Sequence, residues 1–383
     1  MRQPKFTLRT SVPATLVVTA VLLAACSSGG NPKSSSSQGT GKTTTTTTAS
    51  ATSTSTTTPA APRTGPLQLG QAIPIPITAN EVTAAEAPNG AVFVSPQDPL
   101  STSTTVVSVI DGNGPAQVAE TMPSGVAALA ADNINLYVGS YANVTAFNRS
   151  TGNKIGTWPL QEINTANSSD ADLVTMSASG GHVFVMESQG NIERVYRFSP
   201  GSKAFPQLIA KGTSAAFGPN GSIYYARSDG HLVERTNSGA TIVGPLLANA
   251  PNGEGGGVQY VTAVANGLVW VSEPAGQGLD TQFSRYDATT LKLLNSNSGT
   301  VSESIVGTSL GALVLSPPAG AGNCPQTTST SSDSCVYQAA SDGTLTNSTS
   351  VGMAITLLGP QAVVIGNGPT PTAFEMQRIS STS

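Results

Sequence analysis

INLYVGSYANVTAFNRSTGNKIGTWPL, residues 134–160, reads as two short apolar strands, LYV and VTAF, around a polar elbow at Gly139–Asn143. A polar turn, NRSTGNK, follows, and then a weaker strand at Ile155–Trp158. If this is a single hairpin it says little, but it recurs. Apolar triplets stand at VFV (92–94), LYV (136–138), VFV (183–185), IYY (223–225), LVW (268–270), LVL (313–315) and VVI (363–365). Anchored on Phe93, Tyr137, Phe184, Tyr224, Val269 or Trp270, Val314 and Val364, they repeat every 40–50 residues or so, a period that means a propeller or a solenoid.

Each copy has the same parts. A first strand precedes the triplet: TANEVTAA, SGVAALA, DLVTMSA, TSAAF, QYVTAV, ESIVG and VGMAIT. Tight turns such as PNG (88–90), SGG (179–181) and NG (266–267) lead into the triplet, with residues that reach positive φ at little steric cost. A third strand follows (VVSVID, VTAFN, RVYRFS, LVERT, FSRYD, CVYQAAS, FEMQRIS). Weaker fourth strands show at Gln117–Glu120, Ile155–Trp158, Gln207–Ile209, Thr241–Val243 and Lys292–Leu294. Seven copies of four antiparallel strands predict an all-β, seven-bladed β-propeller over residues 67–383. No segment holds a 3.6-residue period over a helix length, which excludes helical solenoids. The last copy ends near Ser380 one strand short, and LQLGQAIPIPI (67–77) belongs to no copy. This orphan is expected to pair beside Phe374–Ile379 as the missing outer strand, where Pro74 and Pro76 forfeit little by lacking an N–H.

Two resemblances sharpen the reading. The propeller repeats resemble the quinoprotein-like, YVTN and NHL group of bacterial propellers, on NLYVGSYANVTAFNRSTGNKIGTW, HVFVMESQGNIERVYRFSP and AFGPNGSIYYARSDGHLVERTNSG. That likeness implies a fold and no single function. No pyrroloquinoline site maps onto the chain, so no cofactor is expected. At the N-terminus, Arg2, Lys5 and Arg9 precede an apolar run from Val12 to about Ala25, too short to span a bilayer. It ends in Leu23-Ala24-Ala25-Cys26, which resembles the lipobox of bacterial lipoproteins. The resemblance implies a signal peptide over 1–25 and lipidation of Cys26, with the acyl chains holding the protein to the membrane. An ordinary secretory signal is the other reading. Residues 26–66 form a Ser/Thr-rich linker without apolar groups to pack, so disorder is expected. As a flexible coil it would span roughly 35 Å, serving as a tether or as filler.

Charged residues make up 10% of the chain and the net charge is −4, with no basic stripe, so no nucleic-acid partner is expected. The two histidines, His182 and His231, open strands and sit in no ligand-spaced cluster; no nucleophile-elbow motif appears, and no catalytic or metal-ligating residue is assigned. Cys324 and Cys335 fall in one long loop of the sixth copy, with ten residues between them. In an exported protein they read as a disulfide staple, worth about 3 kcal/mol in the chain-entropy account.

The long segments share one side of a propeller: 95–104, 161–172, 248–259, 272–281 and 316–334 all join second to third strands or one copy to the next. Functional loops gather this way on rigid scaffolds, although loops also lengthen harmlessly. The same side collects Asp98, Asp170, Asp172, Asp229, Glu254 and Asp333, and the binding candidates Glu187, Glu273 and Asp280. Glu187, Arg227 and Glu273 take one position, the exit of the second strand, in copies 3, 4 and 5. They form either an ion-pair ladder or a polar site in which Arg227 grips an anion or the carboxylates a cation. The function expected is a lipid-anchored module on the extracytoplasmic face of the cell membrane that binds a protein or cell-envelope polymer through its long-loop face. The alternative is a metal-dependent hydrolase or lyase working in the central channel, as in the streptogramin lyases within the group it resembles.

Overall fold

The computed structural model describes residues 65–98, 104–109, 117–122, 125–140, 143–160, 171–189, 192–204, 206–212, 214–218, 221–247, 260–274, 281–298, 304–316, 334–339, 345–368, 370 and 372–382. All its regular elements are strands. Two strands lead, β1 (Leu67–Leu69) and β2 (Ile73–Thr78). Blade 1 is β3 (Val82–Glu86), β4 (Val92–Pro96), β5 (Thr104–Val109) and β6 (Gln117–Met122). Blade 2, the stretch quoted first, is β7 (Ala128–Ala131), β8 (Asn135–Gly139), β9 (Asn143–Asn148) and β10 (Lys154–Pro159). Blade 3 is β11 (Ala171–Ser179), β12 (His182–Gln189), β13 (Ile192–Phe198) and β14 (Gln207–Gly212); blade 4 is β15 (Ser214–Phe217), β16 (Ile223–Ala226), β17 (His231–Arg235) and β18 (Thr241–Leu246). Blade 5 is β19 (Tyr260–Ala265), β20 (Leu268–Pro274), β21 (Thr281–Asp287) and β22 (Leu293–Ser298); blade 6 is β23 (Ser304–Thr308), β24 (Gly311–Ser316), β25 (Cys335–Ala339) and β26 (Leu345–Ser350). Blade 7 holds β27 (Ala354–Leu358), β28 (Val363–Asn367) and β29 (Ala373–Ser381). Each blade is a separate antiparallel sheet, blades 1 to 6 keep their strands in sequence order, and the seven form a ring.

The core is divided among the seven seams between blades. Successive side chains of a strand point to opposite faces, so each second strand serves two neighbours at once. Val92 and Val94 pack with Val363 and Ile365 of blade 7, while Phe93 packs with Leu136 and Val138 of blade 2. Tyr137 packs with Val183 and Val185 of blade 3, and Trp270 with Ala312 and Val314 of blade 6. The alternation chooses Trp270 over Val269 as the fifth anchor. It also corrects two others: Leu313, not Val314, faces blade 7, and Val363, not Val364, faces blade 1. A one-residue slip exchanges a strand's two faces, and an all-aliphatic triplet carries no mark of its register.

The ends of the chain close the ring. β2 pairs antiparallel with β29 (Ile73↔Met376, Ile75↔Phe374), and β1 pairs with its far end (Leu67↔Ser381, Leu69↔Ile379). The orphan segment is thus two short strands where one was expected. Ile75 and Ile77 enter the seam between blades 7 and 1, and Leu67 enters the seam between blades 6 and 7. Pro74 and Pro76 are exposed on the outer edge. β26 has no counterpart in the sequence reading, because LTNSTS has no apolar run. A backbone ladder to β25 holds it, and Gln338 of that strand adds to it, its Oε1 accepting from Asn347 Nδ2 at 2.9 Å and its carbonyl from Thr346 Oγ1 at 3.2 Å.

Candidate functional site

Strand direction fixes the two ends of the ring. Turns between first and second strands, and between third and fourth, lie at one end; the other connections lie at the opposite end. The short-turn end is built by local chemistry. Gly90 (φ 86°), Asn266 (φ 53°) and Gly267 (φ 75°) supply the left-handed residues that tight hairpins need. Segments 161–170, 248–259, 275–280 and 317–333 all join strands at the other end and lie outside the described residues.

The sequence candidates fare differently. Cys26, Cys324, Asp170, Glu254, Asp280 and Asp333 lie outside the described residues. Cys335 is buried and is the first residue of β25, opposite Ser316, so it marks the strand end of the long loop and not its interior. Glu273 stands on β20 opposite Gln282. Glu187 is only 1% exposed, which corrects its expected place on an open surface. The reason is strand length. β11 begins at Ala171 and β12 runs to Gln189, so Glu187 sits inside the ladder between Leu173 and Arg194.

Arg227 is partly exposed at the exit of β16, and its partner is Asp229 in the same turn. Nε donates to Oδ1 at 2.8 Å and Nη2 to Oδ2 at 2.5 Å, a two-pronged bond. Those bonds, helped by the His231 amide donating at 3.2 Å, hold the Asp229 carboxyl well below the usual carboxylate range. The turn itself is pinned by Gly230 (φ 84°) and by the Arg227 amide donating to the His231 carbonyl at 2.9 Å. His182 exchanges a hydrogen bond with Ser199 Oγ at 3.0 Å, and burial, with the charge of Arg197, lowers its pKa.

The axis holds a channel of about 540 Å³ lined by all seven first strands. Its wall is mainly small residues, among them Ala84, Ala128, Ala215 and Ala263, because seven strands converge where only small side chains fit. Hydroxyls of Thr83, Thr175, Ser177 and Thr356 add polarity. Among the described lining residues Glu86 is the ionisable one. Burial pushes its carboxyl up to about 7, against the opposing pull of the Gln361 amide, which donates to Oε1 at 3.1 Å, and of the Arg378 charge. Arg378 in turn donates to the Gly90 carbonyl at 3.2 Å, so Glu86, Arg378 and Gln361 tie blade 7 to blade 1 at the short-turn end. Glu193 crosses another seam at the long-loop end. It accepts from the Ala215 amide of blade 4 at 2.7 Å, and burial raises it to about 7. None of these ties was read from the sequence, since Glu86 ends a small-residue strand and its partners lie almost a whole chain away. Among the described residues no three His, Cys, Asp or Glu side chains gather as a metal site.

No family model and no curated protein matches the chain. Solved structures do match its fold. The β-propeller domain of Cps50 (Swd1) from Myceliophteria thermophila shares 9% identity at a TM-score of 0.54, covering 83% of this chain and 100% of that one. The WD40 domain of Toxoplasma gondii coronin shares 10% at 0.50, covering 84% and 88%. A chain of a mitotic checkpoint complex shares 11% at 0.51, covering 83% and 93%. At such identities the likeness shows the propeller fold alone.

Proposed function

We propose that this chain is an exported lipoprotein, anchored through Cys26, whose propeller is a binding module for a protein or cell-envelope polymer at its long-loop end. The observation that carries the reading is the one-sidedness of the ring. Every blade keeps a short turn into its second strand, while the long connections and most of their carboxylates gather at the other end. A rigid ring with extended loops on one side suits recognition, because the loops vary without cost to the seams. The mitotic checkpoint complex chain, by its description, is one part of a protein complex, which agrees with this use of the fold. Cys324 and Cys335 form a staple in this reading, pinning the longest loop to the buried start of β25.

Anchoring is tested by fractionation. Cys26→Ser moves the protein from the membrane fraction to the soluble one or leaves the signal uncleaved, and a variant that pellets with lipid like the parent contradicts the anchor. The staple gives one linked peptide in a non-reducing digest of the exported protein, and two free thiols contradict it. The binding end is tested by replacing residues 249–258 with Gly-Ser-Gly. The shortened chain then captures less partner from an envelope extract than the parent at equal melting temperature, and equal capture counts against the loops.

A further inference from the structure

Exposed aliphatic side chains are not scattered over this ring. Of the large ones among the described residues, all but Leu246, Met353 and Ile355 lie at the short-turn end. They recur at one structural position, within the first three residues of the outer strand, in four consecutive blades. Ile155 is 47% exposed on β10, Leu208 41% on β14, Val243 51% on β18 and Leu293 54% on β22. Their neighbours Ile242 and Leu294 are exposed too, and Ile134 stands in the first turn of blade 2. Two other outer strands differ: β26 is LTNSTS, and β2 presents Pro74 and Pro76.

Cations accompany the aliphatics. Lys154 precedes Ile155, Lys292 precedes Leu293, Lys203 lies in the turn before β14, and Arg235 ends β17 where it meets β18. The three lysines are exposed. Among the described residues at this end of blades 2 to 5, the acids Asp132, Glu234 and Asp287 are outnumbered by Arg149, Arg197, Arg235 and the three lysines. Asp287 accepts from the Thr289 and Thr290 amides in its own turn, and Asp132 accepts from the Tyr137 hydroxyl at 2.7 Å. A band of aliphatic side chains flanked by lysines is the composition that settles into the headgroup region of an anionic bilayer. There the apolar tips are buried and the ammonium groups meet lipid phosphate. The route of the chain agrees. β1 begins at this same end, where Leu67 pairs with Ser381, and 66 residues precede it in the sequence.

We propose that the short-turn rim of blades 2 to 5 docks on an anionic lipid surface, which turns the acidic long-loop end away from the membrane. This goes beyond the anchor at Cys26 and does not depend on it. The test uses the full chain carrying Cys26→Ser, so that no acyl chain contributes, and vesicles of phosphatidylcholine with or without phosphatidylglycerol. The apolar segment before Cys26 is common to every variant, so differences report the rim. The parent partitions at least about tenfold more strongly onto the anionic vesicles, and added salt weakens this. Lys154→Glu, Lys203→Glu and Lys292→Glu together remove that preference. Ile155→Ser, Leu293→Ser and Leu294→Ser lower binding severalfold, while Asp98→Asn with Asp229→Asn at the other end leaves it in place. Equal binding to neutral and anionic vesicles, or rim variants that bind like the parent, overturns the proposal. So does a concentration-dependent dimer that the rim substitutions abolish without any vesicle binding, which assigns the belt to a second copy. Failure of the Cys26 fractionation with intact vesicle binding removes the anchor and leaves the rim standing.

Discussion

The two ends of this ring obey different rules. At the short-turn end, glycines and asparagines at positive φ close tight hairpins, and the Glu86–Arg378–Gln361 tie binds neighbouring blades. At the long-loop end, Arg227 spends its charge on Asp229 within one turn, and Glu193 ties blade 3 to blade 4. Each end therefore holds a tie across a seam, and the ends differ in the length of the connections that the sequence gives them. Seams carry the fold at both ends, and in the proposed reading the longer connections serve recognition.

The comparison breaks most violently if the shared scaffold fails. Tyr137 is fully buried between blades 2 and 3. Tyr137→Ala should cost about 3–5 kcal/mol, as large aromatic truncations do, and should abolish activities of both ends together. Chemical denaturation reads the loss. Retained stability would mean that the seams do not carry the fold.

A smaller effect separates the ends by pH. Glu86 has a folded pKa near 7 against an ordinary value of 4.5, because burial favours its neutral form. The folded state therefore holds a proton that the unfolded state has lost, and this site's contribution to stability falls as pH rises from 4.5 to 7. Asp229 has the opposite sign, since its charged form is favoured, so its contribution is present above the ordinary value of 3.8 and is lost as pH falls below it. Glu86→Gln should leave the melting temperature unchanged near pH 4 and raise it increasingly towards pH 8. A constant difference across that range would remove the burial argument.

Much of this was legible in the sequence. The repeat, the blade count and the closure by residues 67–77 follow from apolar triplets, turn residues and one orphan strand, because backbone pairing and alternate burial leave a periodic mark. The register of LVL and VVI left no mark, since either face of an aliphatic triplet can be buried. The strand LTNSTS was missed because its backbone ladder to β25 and the Gln338 side chain hold it, and neither leaves an apolar pattern. Glu187 was placed on the surface because sequence shows where a strand becomes polar, not where its partner strand ends. Glu86 was passed over because its partners arrive only when the ring closes.

The central claim is that recognition belongs to the long-loop end, and a matched pair of charge variants tests it most directly. One carries Asp98→Asn, Glu273→Gln and Asp280→Asn. The other carries three substitutions of equal charge change at the short-turn end, Asp132→Asn, Asp287→Asn and Glu234→Gln. Each is titrated against the partner captured by the parent from envelope extract, after melting curves identify any loss of fold. The first variant should lose binding at least about tenfold, and the second should bind as the parent does. Equal binding by both, or loss confined to the second, would contradict the account.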